Sequence, residues 1–233
     1  PEGRFGYQRR HQLQDIMMPP TSIDGTDING ATIDGTDVQE ITVDGQTVFT
    51  ATEPRSYLFG GENGYVLDDI YEYDPATDTI STMSATLPQA LSFADAAAVN
   101  DKIYHFGGRE SSNATVDDIY EYDTATDTIS TVSATLPQDI GFASTVAVNG
   151  QIYHFGGLNG SRSDAIYKYD PSTDTLSTMS ATLPKAIQQA DAAAADGKIY
   201  HFGGFDGSNI DDIYEYDPAT DSISTMSATL PQN

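Results

Sequence analysis

The chain has 233 residues and carries 35 acidic against 10 basic side chains, a formal charge of −25 at pH 7, with 27 Asp among the acids and only 4 Lys among the bases. Such a surface repels nucleic acid and anionic lipid, the absence of Cys excludes disulfides and thiolate metal sites, and no run of 18 apolar residues could cross a bilayer. The acidity is spread, net −5 through Thr50 and −20 beyond it, which reads as a solvated surface and not as an acidic tail.

Residues 1–20 form a basic arm. Arg4, Tyr7, Arg9 and Arg10 concentrate positive charge in an otherwise acidic chain, and the arm is expected to dock on an acidic partner subunit by charge and apolar contact. A disordered basic tail is the other reading. Pro1 is what removal of an initiator Met would expose, and no signal peptide is recognisable, so synthesis inside the cell is expected. In residues 21–45, Ile23, Ile33 and Val43 recur every ten positions, each followed by Asp-Gly. One apolar residue per short strand is too little core for a lone chain, so this segment is expected to anchor the protein by packing with other copies or on another protein. An extended linker is the alternative.

From residue 46 the chain repeats. Gly pairs stand at Gly60-Gly61, Gly107-Gly108, Gly156-Gly157 and Gly203-Gly204, and Tyr71, Tyr120, Tyr167 and Tyr214 follow them in register. Each unit ends in Ile-Ser-Thr-Met-Ser-Ala-Thr-Leu-Pro or a near copy, which divides residues 46–233 into units of about 46–88, 89–137, 138–184 and 185–231. Each unit reads as four short strands. In the second these are Phe93 to Val99, Lys102 to Phe106, Ile119 to Tyr122 and Thr128 to Ser133, with turn chemistry at Asn100-Asp101 and at Asp123 to Asp127. Gln46 to Thr52 supplies the matching first strand of the first unit. The Ala runs at 96–98 and 192–195 align with the strand-like Thr145 to Val148 and are read as strands. Linkers this short leave no room for crossover helices. An all-β protein follows, and four sheets burying their faces on one another close best as a four-bladed β-propeller, with a solenoid or completion by another subunit as alternatives.

Ile103-Tyr104-His105-Phe106-Gly107-Gly108 followed by Asp118-Ile119-Tyr120-Glu121-Tyr122-Asp123 resembles the kelch repeat, and Ile152 to Gly157 and Ile199 to Gly204 repeat it. The resemblance implies a kelch-like propeller preceded by an extended, strand-forming N-terminal anchoring segment. Kelch blades usually carry a Trp on the outer strand where this chain has Ile80, Ile129, Leu176 and Ile223, and an Arg near Leu91, Ile140 and Ile187. The Asp-rich, Lys-poor composition resembles that of haloarchaeal proteins, since molar salt screens charge within about 3 Å. Residues 23–49 look like the N-terminal modules of fibre, turret and receptor-binding proteins of haloarchaeal tailed viruses. Together these resemblances imply a non-enzymatic virion structural protein, an oligomeric spike, turret or tail-fibre component on the capsid or tail, assembled in the host cytoplasm. Its N-terminal segment would hold other virion proteins and its propeller a host surface glycoprotein or glycan. A cellular haloarchaeal kelch-repeat interaction or envelope protein is the alternative.

Chemistry is not evident. His105, His154 and His201 occupy one repeat position whose first-unit counterpart is Leu58, so a structural role between blades is expected in place of a metal site. The pairs Asp68-Asp69, Asp117-Asp118 and Asp211-Asp212 point to opposite faces of a strand and make no acid–base pair. No catalytic residue, metal or cofactor is expected. The loops after the Gly pairs vary most, and binding is expected there through Arg109, Asn113, Leu158, Asn159, Phe205 and Asp206. Asn113-Ala114-Thr115 and Asn159-Gly160-Ser161 are glycan acceptor sequences.

Overall fold

A computed structural model describes residues 55–231 with their side chains and, before them, four strands. The chain divides into two units, Pro1–Glu53 and Pro54–Asn233. In the first, β1 (Ser22–Ile23) pairs with β2 (Thr26–Asp27), and β3 (Glu40–Val43) pairs with β4 (Gln46–Thr50), all antiparallel. The basic arm, with Arg4, Tyr7, Arg9 and Arg10, lies outside the described residues.

The second unit holds four antiparallel sheets and, among the described residues, no helix. The first sheet has three strands, β5 (Ser56–Phe59), β6 (Asp69–Asp74) and β7 (Thr79–Thr86). The second has four: β8 (Asp95–Val99), β9 (Lys102–Phe106), β10 (Ile119–Asp123) and β11 (Thr128–Thr131). In the third, β12 (Ser144–Val148) and β13 (Gln151–Phe155) lead into a small ribbon, β14 (Leu158–Asn159) with β15 (Ser161–Arg162), before β16 (Ile166–Asp170) and β17 (Thr175–Thr178) complete the sheet. The fourth is β18 (Asp191–Ala195), β19 (Lys198–Phe202), β20 (Asp212–Asp217) and β21 (Ser222–Thr229). Strands follow chain order within each sheet, so the arrangement is propeller-like, and both Ala runs are strands.

Two differences from the sequence reading have physical causes. β4, expected as the inner strand of the first sheet, pairs with β3 instead, in a register that brackets Asp44-Gly45 between Val43 and Gln46. Asp-Gly is among the strongest two-residue hairpin sequences, and a local turn outweighs the repeat pattern. The strand expected from Phe93 begins two residues later, because Phe93 takes a positive φ of 54°.

Alternation on the strands sorts the core. Tyr104 and Phe106 face forward from the second sheet onto Tyr169 of the third, at ring separations of 5.4 and 5.8 Å. Tyr153 and Phe155 repeat this against Tyr216 of the fourth, at 5.6 and 5.8 Å, and Tyr57 and Phe59 against Tyr122 of the second, both at 5.5 Å. Full burial of an aromatic side chain stabilises by roughly 2–3 kcal/mol, so this herringbone of rings is a main source of cohesion. The buried imidazoles point backward and stack on the Tyr of their own sheet, His105 on Tyr120, His154 on Tyr167 and His201 on Tyr214. Inner strands β8, β12 and β18 adjoin in that order. Among the described residues the fourth sheet does not pack on the first, so these sheets do not make the closed four-bladed ring expected from the sequence.

Bases are few, and three stand at one repeat position beside a Glu: Arg55 with Glu72, Lys102 with Glu121 and Lys198 with Glu215. The same three Glu accept the hydroxyls of Tyr57, Tyr104 and Tyr200 at 2.7, 2.9 and 2.9 Å. In the third repeat Lys168 replaces the Glu and the motif is gone.

Candidate functional site

The Gly pairs build the loop face of the sheets. Gly107 has φ 56°, and a Cβ there would stand 2.1 Å from the Ile140 carbonyl oxygen, so the chain can pass only without a side chain. Gly108 donates its amide to that same oxygen at 2.8 Å, and Gly61 and Gly157 do so to Leu91 and Ile187 at 2.8 Å each. Thus the positions where a kelch Arg was missing hold buried aliphatics whose carbonyls fix the first three Gly pairs to the next repeat.

Just beyond them the backbone turns into the left-handed region at Phe93, Phe142 and Gln189, with φ of 54°, 60° and 56°. Phe142 donates its amide to the Phe93 carbonyl at 2.7 Å, and Gln189 donates to the Phe142 carbonyl at 2.8 Å, linking three sheets at their inner ends. The Phe93 and Phe142 rings stack 4.3 Å apart at 23°. The Arg109 guanidinium lies over both, 4.4 and 5.3 Å from their centroids, and Glu62 holds its outer edge at 3.4 Å. An Arg over an aromatic face gains about 0.5–2 kcal/mol depending on exposure. Here it also fixes the cation in one direction.

A cleft of ≈ 460 Å³ opens beside this stack, lined by Arg109, Asn113, Thr115, Asp139, Phe142, Leu158 and Asn159. Four of the six loop residues singled out from sequence, Arg109, Asn113, Leu158 and Asn159, therefore come together. The other two lie on the following loop: Phe205 packs under Arg162 at 4.8 Å, and Asp206 accepts the Ser208 amide at 3.1 Å and faces Lys185 at 3.9 Å. Asn113 and Asn159 are exposed on the cleft wall, so a glycan on either would fill it. Phe93, Phe142, Arg162 and Asp139 were missed. The signal for the first two was present: the repeat places Phe, Phe and Gln at one position, a departure from periodicity that packing alone does not demand.

A smaller hollow of ≈ 200 Å³ lies between the first two sheets, lined by Tyr57, Phe59, Asp95 and His105 among others. Burial pushes the Asp95 carboxyl up to about 6, against the amides of Thr145 and Ala96 that donate to it at 2.6 and 2.9 Å. Burial likewise pushes the His105 imidazole down to about 4, and its Nδ1 has no partner. The paired acids have a clear place too. Asp69, Asp118 and Asp212 accept the hydroxyls of Tyr71, Tyr120 and Tyr214 two residues on, at 3.3, 3.1 and 2.9 Å. Among the described residues no group of three or more His, Cys, Asp or Glu is arranged to hold a metal ion, and no helix is long and apolar enough to cross a membrane.

A family model described as the KLHDC2/KLHL20/DRC7 Kelch-repeats domain matches residues 45–232. Among solved structures, one described as "Structure of YjhT" is similar with a TM-score of 0.61 at 18% identity, covering 72% of this chain and 64% of that one. At that identity the likeness speaks for the fold, and the chain spans less than two thirds of the length of that structure. No curated protein matches. These comparisons correct two expectations. The similar structure, that of YjhT, is not a known spike, turret or fibre protein, and one fold hosts many unrelated functions. The virion assignment and host-attachment role are withdrawn, and so is the exclusion of catalysis. Nothing in the comparisons connects the N-terminal segment with viral anchoring modules.

Proposed function

The chain belongs to the kelch-repeat family, and from that membership we propose that its four sheets are four kelch blades of a cellular protein-interaction module, adapted to high salt, which grips a partner at the Phe93–Arg109–Phe142 face. The observation that carries this reading is the pair of phenylalanines held at positive φ. A bulky residue in that region costs on the order of 1–3 kcal/mol, and such strain gathers where a side chain must be presented. Here it presents two stacked rings and a fixed cation beside a cleft with amide groups at Asn113 and Asn159. The matching partner is a protein segment that inserts an apolar or aromatic side chain against Phe142 and Leu158 and satisfies those amides through its backbone.

A photo-crosslinking amino acid placed at Asn159 in cells tests this. One discrete adduct is expected, lost when Phe142→Ala is added, with none from the same probe at Ala125 on the opposite rim. Equal labelling from both rims would refute it.

A catalytic reading has a separate support, the Asp95 carboxyl in its hollow, which burial pushes up to about 6. If it applies, turnover of a polysaccharide would vanish in Asp95→Asn and survive Phe142→Ala.

A further inference from the structure

Asn followed by Gly is the sequence at which a backbone amide reaches a side-chain carbonyl most readily, and the chain has it at Asn63-Gly64, Asn149-Gly150 and Asn159-Gly160. The fold treats these differently. Asn149 and Gly150 both take positive φ, 52° and 74°, as the central residues of the hairpin between β12 and β13. In that turn the Gly nitrogen points away from the Asn Cβ, and the paired strands on either side hold it there. Asn159 has no positive φ and is exposed at the end of β14, with Gly160 alone between it and its partner Ser161. A Cβ on Gly160 would meet nothing within 4 Å. Among the described residues neither the Gly160 amide nor the Asn159 carboxamide has a hydrogen-bond partner.

We infer that Asn159 is a site of spontaneous deamidation, which turns an amide wall of the Arg109–Phe142 cleft into an acidic one. The Gly160 nitrogen gives its proton to hydroxide and attacks Cγ of Asn159. The new C–N bond closes a succinimide, and the side-chain nitrogen leaves as ammonia after taking a proton from water. Water then opens the ring at either carbonyl, giving Asp, or isoAsp where the main chain now runs through Cγ. One water is consumed and one ammonia released, with no redox change and no enzyme required.

The repeat shows what an acid does at this place. The fourth unit carries Asp206-Gly207-Ser208 there, and Asp206 accepts the Ser208 amide and hydroxyl, each at 3.1 Å. An Asp formed from Asn159 finds the same two donors in Ser161 and is drawn off the cleft. IsoAsp instead adds a backbone atom to β14 and breaks its register with β15. Either product removes the amide offered to a partner and adds a negative charge on the wall that holds Asp139. The reaction runs one way, so the cleft loses its grip as a copy ages. That effect on binding rests on the partner reading above, whereas the reaction does not. Asn63-Gly64 stands on the equivalent turn outside the cleft and reports the chemistry without the consequence.

The full chain, held at pH 8.5 and 37 °C in 3 M NaCl and sampled by peptide mass mapping, tests this. Conversion at Asn159 is expected to run about tenfold faster than at Asn149, with Asn63 keeping pace with Asn159. Gly160→Ala is expected to slow it about tenfold with an unchanged far-UV spectrum. For the consequence, a photo-crosslinking amino acid at Asn113 is expected to give about tenfold less adduct when Asn159→Asp is added. Conversion at Asn159 no faster than at Asn149 overturns the inference, and so does an equal adduct yield with Asn159→Asp. Absence of any adduct from the parent chain refutes the partner reading and with it the switch, while the mass map still decides the modification.

Discussion

The carboxylate of Asp127 accepts the amide of Ser84, 43 residues earlier and in the preceding sheet, at 2.7 Å. Burial works against this carboxylate, but the amides of Ser84 and Ala85 and the Tyr122 hydroxyl more than offset it, so its pKa falls below the ordinary range. Asp174 and Asp221 are held down in the same way. Asp127→Asn keeps a residue that tolerates the φ of 51° but sets an amide N–H against backbone donors. A loss of about 1–2 kcal/mol is expected for each of the three Asn variants in urea unfolding.

Acid should loosen the fold before those latches protonate. His105, His154 and His201 are pushed by burial to about 4, 3 and 4, below 6.5 in the unfolded chain. Their stability is complete above pH 6.5, and it is lost as pH falls, because only the unfolded chain takes up the protons. Asp95, raised to about 6, acts oppositely and recovers part of the loss between pH 6 and 3.8. Three groups against one leave a net loss on the order of 5 kcal/mol by pH 4.5. Thermal melts from pH 7.5 to 4.5 should fall steadily, with the onset near 6.5. A flat profile would contradict the burial of neutral imidazoles.

Salt should act on the whole surface. With −25 spread over the chain, raising NaCl from 0.1 to 3 M shortens the screening length from about 10 to about 3 Å and removes most self-repulsion. A rise in Tm of more than about 10 °C is expected in calorimetry. Potassium chloride should serve as well as sodium chloride.

Two glycines separate strain from collision. Gly107→Ala drives a methyl into the Ile140 carbonyl and should cost more than about 4 kcal/mol, enough to prevent folding. Gly150 has φ 74° with nothing near its missing Cβ, so Gly150→Ala should cost only about 1–2 kcal/mol of backbone strain. Soluble yield and urea midpoints of the two variants distinguish these outcomes.

The strands were legible because alternation and the Gly pairs are local signals. Ile103 to Phe106 and Ile119 to Tyr122 could be placed from their own residues. Asp123 was legible as turn chemistry, and it does accept the amides of Ala125 and Thr126. Asp127, four residues on, was read as part of the same turn, since its amide partners lie 42 and 43 residues away and only sheet stacking brings them near. The first sheet lost its expected inner strand for the converse reason: a strong hairpin sequence competed with the repeat. Of the candidate site, the loop residues were found by their variability. The Phe93–Phe142 stack was overlooked because Phe93 was assigned to a strand, and the shared repeat position of Phe93, Phe142 and Gln189 does not by itself show the positive φ that brings the two rings together.

The interleaved latch has a consequence for how such a chain changes over generations. At three successive joints, one carboxylate (Asp127, Asp174 or Asp221) accepts a pair of amides from the sheet before it, and these joints recur at the 47–49-residue repeat spacing. Tandem duplication or deletion of a segment thus conserves the joint on both sides, and the number of blades can drift by whole units without any new contact having to arise.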